Sequence, residues 1–370
     1  MPAVTLKEIA KRSRVSFQAV SGVLNNTRTG SRVSAKTRER ILRIAGESGY
    51  QPHFAYQLIR GKKTKTVAIL ASTPRTNAEE HILKLVHLLL ARFNRLEHSA
   101  YCGVFTLDPG ANLDQVRSLI RRGVERFVFL GVPVGHLDII GELDGVGLPY
   151  IANSKGFPRW VNHGSRLGRT ALFRHFAARV GRERVRLIYP DPSVSASNNH
   201  LEALASLHPE LAPKEVLERY VFASASLDFE GGDPVRAAYS AAYEATRELL
   251  NRDPGVGAIA YADDNSAIGG ARYLLEPAGE RFRGLLLGGF TNCQDLHNFP
   301  LPISSVALRL ETVADRLVEH VLTEGPCRLS IPPVLHLREP GRPDVYPPWT
   351  ETVVPLADET AAGDGGAASP

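Results

Sequence analysis

Residues 5–25 constrain this chain more than any other stretch. Thr5-Leu6-Lys7-Glu8-Ile9-Ala10, then Val15-Ser16-Phe17-Gln18-Ala19-Val20-Ser21-Gly22-Val23-Leu24-Asn25, reads as two short helices joined by a tight turn. Thr5 with Glu8 three residues on is a capping box, so a helix starts at Leu6. Leu6, Ile9 and Ala10 share one face of it. Ser16 can cap a second helix, whose apolar positions Val20, Val23 and Leu24 sit at helical spacing. A third helix starts near Ser34, buries Ile41, Ile44 and Ala45, and ends near Gly49. Three small helices around one apolar centre make a headpiece of helix-turn-helix type, a device that sets one helix in the major groove of DNA.

The outer face of the second helix offers Phe17, Gln18, Ser21, Gly22 and Asn25. Gln18 can bond adenine in a bidentate way, and Phe17 can pack on a thymine methyl. Charge separates this reading from an ordinary helical bundle. Residues 1–65 hold 14 Lys/Arg against 3 Asp/Glu, whereas residues 66–370 hold 30 against 36. The excess positive charge is confined to the headpiece and the segment behind it, the footprint of phosphate-backbone binding. In the loop after Asn26, Arg28 and Arg32 either contact phosphates or serve connection only. Thr5, Ser16 and Ser34, at helix starts, complete the DNA-facing set of the headpiece.

TLKEIAKRSRVSFQAVSGVLNN, then VSAKTRERIL and GYQP, resembles the headpiece of the lactose-repressor (LacI/GalR) family of bacterial transcription regulators. The resemblance is dense over residues 4–52 and weaker to about residue 335. It implies that residues 52–65 are a hinge helix and linker. In the family such a helix orders on operator DNA, pairs with its dimer mate and wedges a leucine into the minor groove. Two registers fit here. Ala55 and Leu58 have the expected chemistry at the expected spacing; counting from Tyr50 instead puts Ile59 at the wedge. Leu58 is preferred, Ile59 is the runner-up, and His53 joins the DNA-facing set. A plain linker is the bland alternative.

From Thr66 the grammar changes. Short apolar strands at 67–70, 101–106, 126–131 and 149–152 alternate with helices at 79–97, 113–122 and about 137–144. A second half repeats the scheme: helices 165–180, 198–207, 234–251 and 265–276 alternate with strands 184–189, 217–222, 256–261 and 283–288. Strand 303–307 and helix 309–323 follow. The alternation predicts doubly wound parallel sheets, and two such halves suit a clamp on a small ligand. The resemblance implies an α/β core of the periplasmic-binding-protein type I fold, two doubly wound parallel-sheet subdomains, with the chain crossing between halves near residues 162, 291 and 325.

The expected organisation is therefore a headpiece over 1–51, a hinge over 52–65, and an effector-binding and dimerisation core over 66–340. Within the core, an N-subdomain takes about 66–162 and 292–325, and a C-subdomain about 163–291 and 326–340. A tail over 341–370 is rich in Pro, Gly, Ala and Asp, and its last dozen residues cannot support a core.

Loops at the carboxyl ends of the strands should line the crevice. The first half supplies Ser72, Arg75, Asn77 and Asn153; the second supplies Asp191, Ser195, Asn199, Asp263, Asp264, Asn292 and Gln294. Each one singly is as readily a solvated loop residue or a helix cap. Asp263-Asp264-Asn265 directly follows a strand, where relatives carry a comparable Asn-Asp element, and Asp264 could simply cap the next helix. Against the family pattern, no Arg opens the helix after strand 184–189, and Asn199 is nearest that position. Thr291 replaces the Asp of a common Gly-Phe-Asp. Ser13-Arg14 replaces Ala-Gly in the headpiece turn, and Gly22 stands where many relatives read guanine with an Arg.

Enzymatic function lacks its motifs: GxSxG, GxxxxGK[ST], HExxH and a GxGxxG after the first strand are all missing. No cofactor or metal is called for. His81 and His87 flank a helix as surface or capping residues. Cys102, Cys293 and Cys327 read as buried free thiols. With no export signal and no apolar run of the ~20 residues that span a bilayer, the expected location is cytoplasmic, at the nucleoid. The expected function is a homodimeric repressor on a pseudo-palindromic operator, gated by a small-molecule effector such as a saccharide. The alternative is an effector-independent DNA-binding regulator with a degenerate pocket.

Overall fold

A computed structural model describes residues 5–24, 32–48, 64–72, 80–189, 199–223, 234–323, 325–342 and 345–357. The chain divides into two compact units, Met1–Lys65 and Thr66–Pro370.

The first unit holds α1 (Leu6–Ser13), α2 (Phe17–Leu24) and α3 (Ala35–Glu47). They share one apolar centre of Ile9, Ala10, Val20, Val23, Ile41, Ile44 and Ala45. Helix α3 stops at Ser48, one residue before the expected glycine.

The second unit contains two sheets. The first has strands β1 (Thr66–Ser72), β2 (Ser99–Phe105), β3 (Arg126–Leu130), β4 (Tyr150–Ala152), β5 (Trp160–Asn162) and β11 (Arg328–Ser330). Their order is β11-β5-β4-β3-β1-β2, all parallel. Its helices are α4 (Glu80–Arg95), α5 (Pro109–Arg121), α6 (His136–Gly145) and α12 (Leu310–Leu322). Helix α5 starts earlier than its apolar pattern, because Asp108 caps it and Pro109 fits the first turn. Buried side chains cover both faces of the central strands β1, β3 and β4, so these read as continuous apolar runs, whereas the edge strand β2 is largely exposed.

The second sheet has β6 (Val185–Tyr189), β7 (Val221–Ala223), β8 (Ala258–Tyr261), β9 (Leu286–Phe290), β10 (Ile303–Ala307), β12 (Val334–Pro340) and β13 (Trp349–Pro355). The order is β13-β12-β10-β9-β8-β6-β7, with β12 and β13 antiparallel. Its helices are α7 (Ser165–Val180), α8 (Asn199–Ala205), α9 (Pro213–Tyr220), α10 (Pro234–Arg252) and α11 (Asp264–Leu275).

Four expectations change. Residues 217–220 are helical: Pro213 opens α9, Glu215 accepts from the Ala212 N–H at 2.9 Å, and Val216 and Tyr220 bury together four residues apart. Only 221–223 remain as strand. The strand expected at 283–288 is β9 instead, because a 3-10 turn at Glu280–Phe282 delays it. The shift leaves Phe290 at the strand end and Thr291 in the loop. The crossing expected near 291 does not occur there, since β10 pairs with β9 in the second sheet. The chain returns to the first sheet with α12 and leaves it again after β11, so 292–307 belongs with the C-subdomain. The fourth change is β13, inside the expected tail. It buries Trp349, whose indole N–H donates to the Phe299 carbonyl at 2.9 Å. Most of its other side chains are exposed, so the strand carried no alternation to read. Residues 358–370 lie outside the described residues. Of the thiols, Cys327 is buried and Cys293 half-buried; Cys102 is exposed on β2, contrary to expectation.

Candidate nucleic-acid interface and effector crevice

In the headpiece the three expected caps are formed. Thr5 accepts from the Glu8 N–H at 3.3 Å, Ser16 from Ala19 at 3.2 Å and Ser34 from Thr37 at 3.4 Å. The turn after α1 puts Arg14 in the left-handed region, φ 50° and ψ 46°, with its N–H closing on α1 carbonyls. That position favours glycine, and an arginine there costs roughly 1 kcal/mol. Its side chain is exposed. Arg12 ties the turn to the end of α3 through a 2.6 Å bond to Ser48.

Helix α2 presents Phe17, 43% exposed, and Gln18 at its N-terminal end. Ser21 and Gly22 are a correction. Both are buried, Ser21 at 3% exposure. The buried stripe of α2 is continuous over positions 20–23, where the expected one was Val20, Val23 and Leu24. The exposed end of the helix is thus narrower than its sequence suggested. Arg32 is exposed. Asn25, Arg28, His53, Ala55, Leu58 and Ile59 lie outside the described residues.

In the second unit, Asp263 and Asp264 divide roles in an unexpected way. Asp263 caps α11, accepting from the Ser266 N–H at 2.7 Å. Asp264, 1% exposed, uses both carboxylate oxygens on protein donors. Oδ1 accepts from the Ser305 hydroxyl at 2.6 Å; Oδ2 accepts from the Cys293 N–H at 2.7 Å and the Thr291 hydroxyl at 3.1 Å. Burial pushes its carboxyl up to about 6 despite these bonds. Asp264 is therefore an internal tie between α11 and the loop after β9, neither a cap nor an open ligand contact.

The same loop accounts for Asn292. Thr291 and Asn292 have φ of 105° and 52°, unusual for non-glycine residues and extreme for a β-branched one. They are held there by the Asp264 bonds, by Asn292 N–H on Ser305 Oγ at 3.0 Å, and by Arg338, which donates to Asn292 Oδ1 at 2.7 Å. The amide oxygen of Asn292 faces Arg338, not a ligand. Asn153 is a second correction: 4% exposed, it accepts the Gly131 N–H at 2.6 Å and braces the ends of β3 and β4.

Ser72 ends β1, and its buried hydroxyl has no partner among the described residues. Asn199 is exposed at the start of α8 and donates to Ser165 Oγ at 3.2 Å. Gln294 is exposed. Arg75, Asn77, Asp191 and Ser195 lie outside the described residues.

The site's strongest charge comes from a residue the sequence reading missed. Arg169, on α7, is 8% exposed, and its guanidinium lies 3.5 Å above the Phe290 ring centroid. Nε donates to His200 Nδ1 at 3.0 Å. His200 is 6% exposed, and its ring meets those of Tyr189 and Phe290 edge-on. Burial and the neighbouring cation hold this imidazole well below its ordinary pKa, so Nδ1 is free to accept. Burial draws the Arg169 guanidinium down to about 9, against the attraction of Tyr189 and Asp263, and it remains a cation at neutral pH. His163, beside the first crossing, packs edge-on against His81 of α4, with ring centroids 5.4 Å apart. Burial, then His81 and Arg169, hold His163 down to about 3. His81 is thus half-buried in this group, while His87 is exposed.

Tyr189, Asp263 and Phe290 stand at the carboxyl ends of β6, β8 and β9, where open α/β sheets take ligands. One cation, one carboxylate, neutral imidazoles and an aromatic face converge there. A sequence signal existed: Arg169 interrupts the buried stripe Gly168, Leu172, Phe173 and Phe176 of α7.

Residues 5–53 match the family described as bacterial regulatory proteins, lacI family. The Klebsiella pneumoniae lactose operon repressor is 25% identical over 340 residues, covering 90% of this chain and 88% of the relative. A lac repressor dimer bound to operator and the anti-inducer ONPF superposes with a TM-score of 0.70 at 19% identity, covering 90% of this chain and 97% of the other. The complex of the transcriptional regulator CelR with cellobiose gives 0.53 at 22% identity, covering 90% and 98%.

Proposed function

This chain belongs to the lacI family of bacterial regulatory proteins, and from that premise we propose a homodimeric repressor that reads a pseudo-palindromic operator and is released or retained by a small polyhydroxylated effector. Proteins of this family regulate transcription and are not enzymes. The observation that carries the proposal is the headpiece: a basic unit whose α2 exposes Phe17 and Gln18 beside the strained Arg14 turn. Gln18 reads adenine, Phe17 packs on a thymine methyl, and Arg14, Arg28 and Arg32 contact phosphates. The hinge over 52–65 wedges the minor groove through Leu58, with Ile59 as the other register.

A dimer is supported by the exposed edge of the first sheet. Tyr101 and Val104 on β2 are 44% and 58% exposed, and Leu83 on α4 is 73% exposed. Such apolar positions on an edge strand and its neighbouring helix suit a self-complementary interface. Two headpieces then reach successive major grooves.

For the effector, Arg169 and Asp263 supply a donor fork and a carboxylate over one aromatic face, the chemistry that holds vicinal hydroxyls. The effector acts only through its differential affinity for two arrangements of the core. No helix among the described residues is long and apolar enough to cross a membrane. Action on operator DNA puts the proposed site of action at the cytoplasmic nucleoid.

The test is selection of bound duplexes from a random library, followed by titration of mono- and disaccharides against the selected complex. A palindromic consensus and a saccharide that changes its occupancy support the reading. Recovery of a palindrome with no small molecule altering occupancy would instead favour an effector-independent regulator, which the loss of charge at Asn199 and Thr291 makes the second reading.

A further inference from the structure

On the far end of the second sheet, away from the crevice, three donors converge. Glu183 lies in the 3-10 turn Arg182–Arg184 before β6, and His208 and Glu210 lie in the connection between α8 and α9. One ligand atom from each sits within 4.8 Å of the others. His208 Nδ1 is 3.9 Å from Glu183 Oε1 and 3.9 Å from Glu210 Oε1. The His208 side chain is fully buried, and neither ring nitrogen has a hydrogen-bond partner among the described residues. A buried imidazole whose nitrogens meet neither a hydrogen-bond partner nor a metal ion is held at a cost, and here Nδ1 faces two carboxylates.

We propose that Glu183, His208 and Glu210 form a site for a first-row transition-metal dication of the Zn2+ class. Zn–N and Zn–O bonds of about 2.0–2.2 Å in a tetrahedron place donors roughly 3.3 Å apart. Donors now 3.9 Å from His208 Nδ1, and within 4.8 Å of one another, must close by roughly 0.6 to 1.5 Å; the two glutamates are 64% and 48% exposed and can do so by rotamer adjustment. The imidazole plane is already fixed, because the His208 ring stacks on Tyr220 with centroids 4.0 Å apart. The Tyr220 hydroxyl donates to Glu183 Oε2, which aims the other oxygen at the site. These are the outer-shell partners that a metal centre requires. The fourth position faces solvent and takes water.

Arg182 currently bridges both carboxylates, 3.4 Å from Glu183 and 3.0 Å from Glu210. It supplies the charge that the ion would supply, but its N–H groups are spent on Glu183, Glu210 and the Leu207 carbonyl, and none reaches His208 among the described residues. Arg182 therefore competes with the ion for the carboxylates while leaving His208 unsatisfied. The metal would clamp the entry of β6 to the connection between α8 and α9, and β6 runs directly to the crevice at Tyr189.

Isothermal titration of the full chain with Zn2+, and visible absorption with Co2+, test this. The expected result is one site per chain with a tetrahedral Co2+ spectrum. Glu210→Gln and Glu183→Gln should each weaken Zn2+ binding by more than about 10-fold, and Arg182→Gln should tighten it. His208→Gln is the most direct variant but loses the stacked ring. The two exposed glutamate changes keep the question answerable if it misfolds. Zn2+ affinity unchanged in both glutamate variants, or no binding even with Arg182→Gln, overturns the proposal.

Discussion

Asp264 Oδ1 accepts the Ser305 hydroxyl at 2.6 Å, joining residues 41 apart in sequence. Its other oxygen holds Thr291 and Cys293. Through these bonds one carboxylate fixes the strained loop at the end of β9. At 291 the threonine hydroxyl donates to Asp264, so this side chain serves the internal tie.

Asp264 should leave a mark on the pH dependence of stability. Burial, the largest influence, raises its carboxyl from the ordinary 3.8 to about 6 in the folded chain. Between those values the unfolded chain has lost this proton while the folded chain keeps it. Stability therefore falls as pH rises through that window and levels off above about 6, a change of roughly 3 kcal/mol from this group. Asp264→Asn cannot titrate. The stability difference between parent and variant, from urea unfolding at pH 4 to 7, should shrink as pH rises. A difference independent of pH would sink this assignment.

The helices and strands were largely legible because both have strong periods: capped amphipathic helices in the headpiece, and apolar runs between helices in the core. The failures have local causes. Residues 217–220 looked like strand because Leu217 and Tyr220 lead into the apolar Val221-Phe222; it is Val216, outside that stretch, that pairs with Tyr220 on one buried helix face. Trp349 anchors a strand whose remaining residues are mostly exposed, so no pattern marks it. Candidate site residues on loops fared differently from those on helices. Asn153, Asp264 and Asn292 have the right residue types, but their hydrogen bonds go to backbone N–H groups, to the Ser305 and Thr291 hydroxyls and to Arg338, and only coordinates reveal that. Arg169 was missed because it sits inside a helical stripe, where chain order gives no hint that α7 passes over Phe290.

Arg14 holds a left-handed conformation that glycine adopts freely. Arg14→Gly should stabilise the headpiece by up to about 1 kcal/mol, less what glycine adds to the freedom of the unfolded chain. It should also lower the slope of log affinity against log salt by about 1, if the arginine contacts a phosphate. Thermal unfolding and salt-dependent operator binding separate the two effects. A variant with the parental salt slope removes the phosphate contact from the account.

Gln18 is the exposed base-reading candidate of α2, now that Ser21 and Gly22 are buried. Gln18→Ala should cost ~1–3 kcal/mol of discrimination at one base pair per half-site, with nonspecific binding nearly intact. Affinities for single-base operator variants measure this directly. Equal ranking of all variants by parent and mutant would move specificity to another side chain. Ser21→Ala should change stability more than specificity, since its side chain is enclosed by the headpiece.

Arg169 carries the last prediction, because stability and function should move in opposite directions there. A guanidinium 8% exposed, with no carboxylate within ion-pairing distance among the described residues, is held at a desolvation cost. Arg169→Met keeps the packing on Phe290 and removes that buried charge. The thermal midpoint should rise. His200, relieved of its cationic neighbour, should become easier to protonate, with its NMR titration moving upward. Effector response should be lost: two charge-assisted bonds at about 1.5–3 kcal/mol each correspond to a fall in effector affinity of about 100-fold or more. Operator binding without effector should persist, since α1–α3 are untouched. A variant that is less stable yet still answers the effector would make Arg169 a packing residue and return the effector's polar contacts to the neighbouring loops.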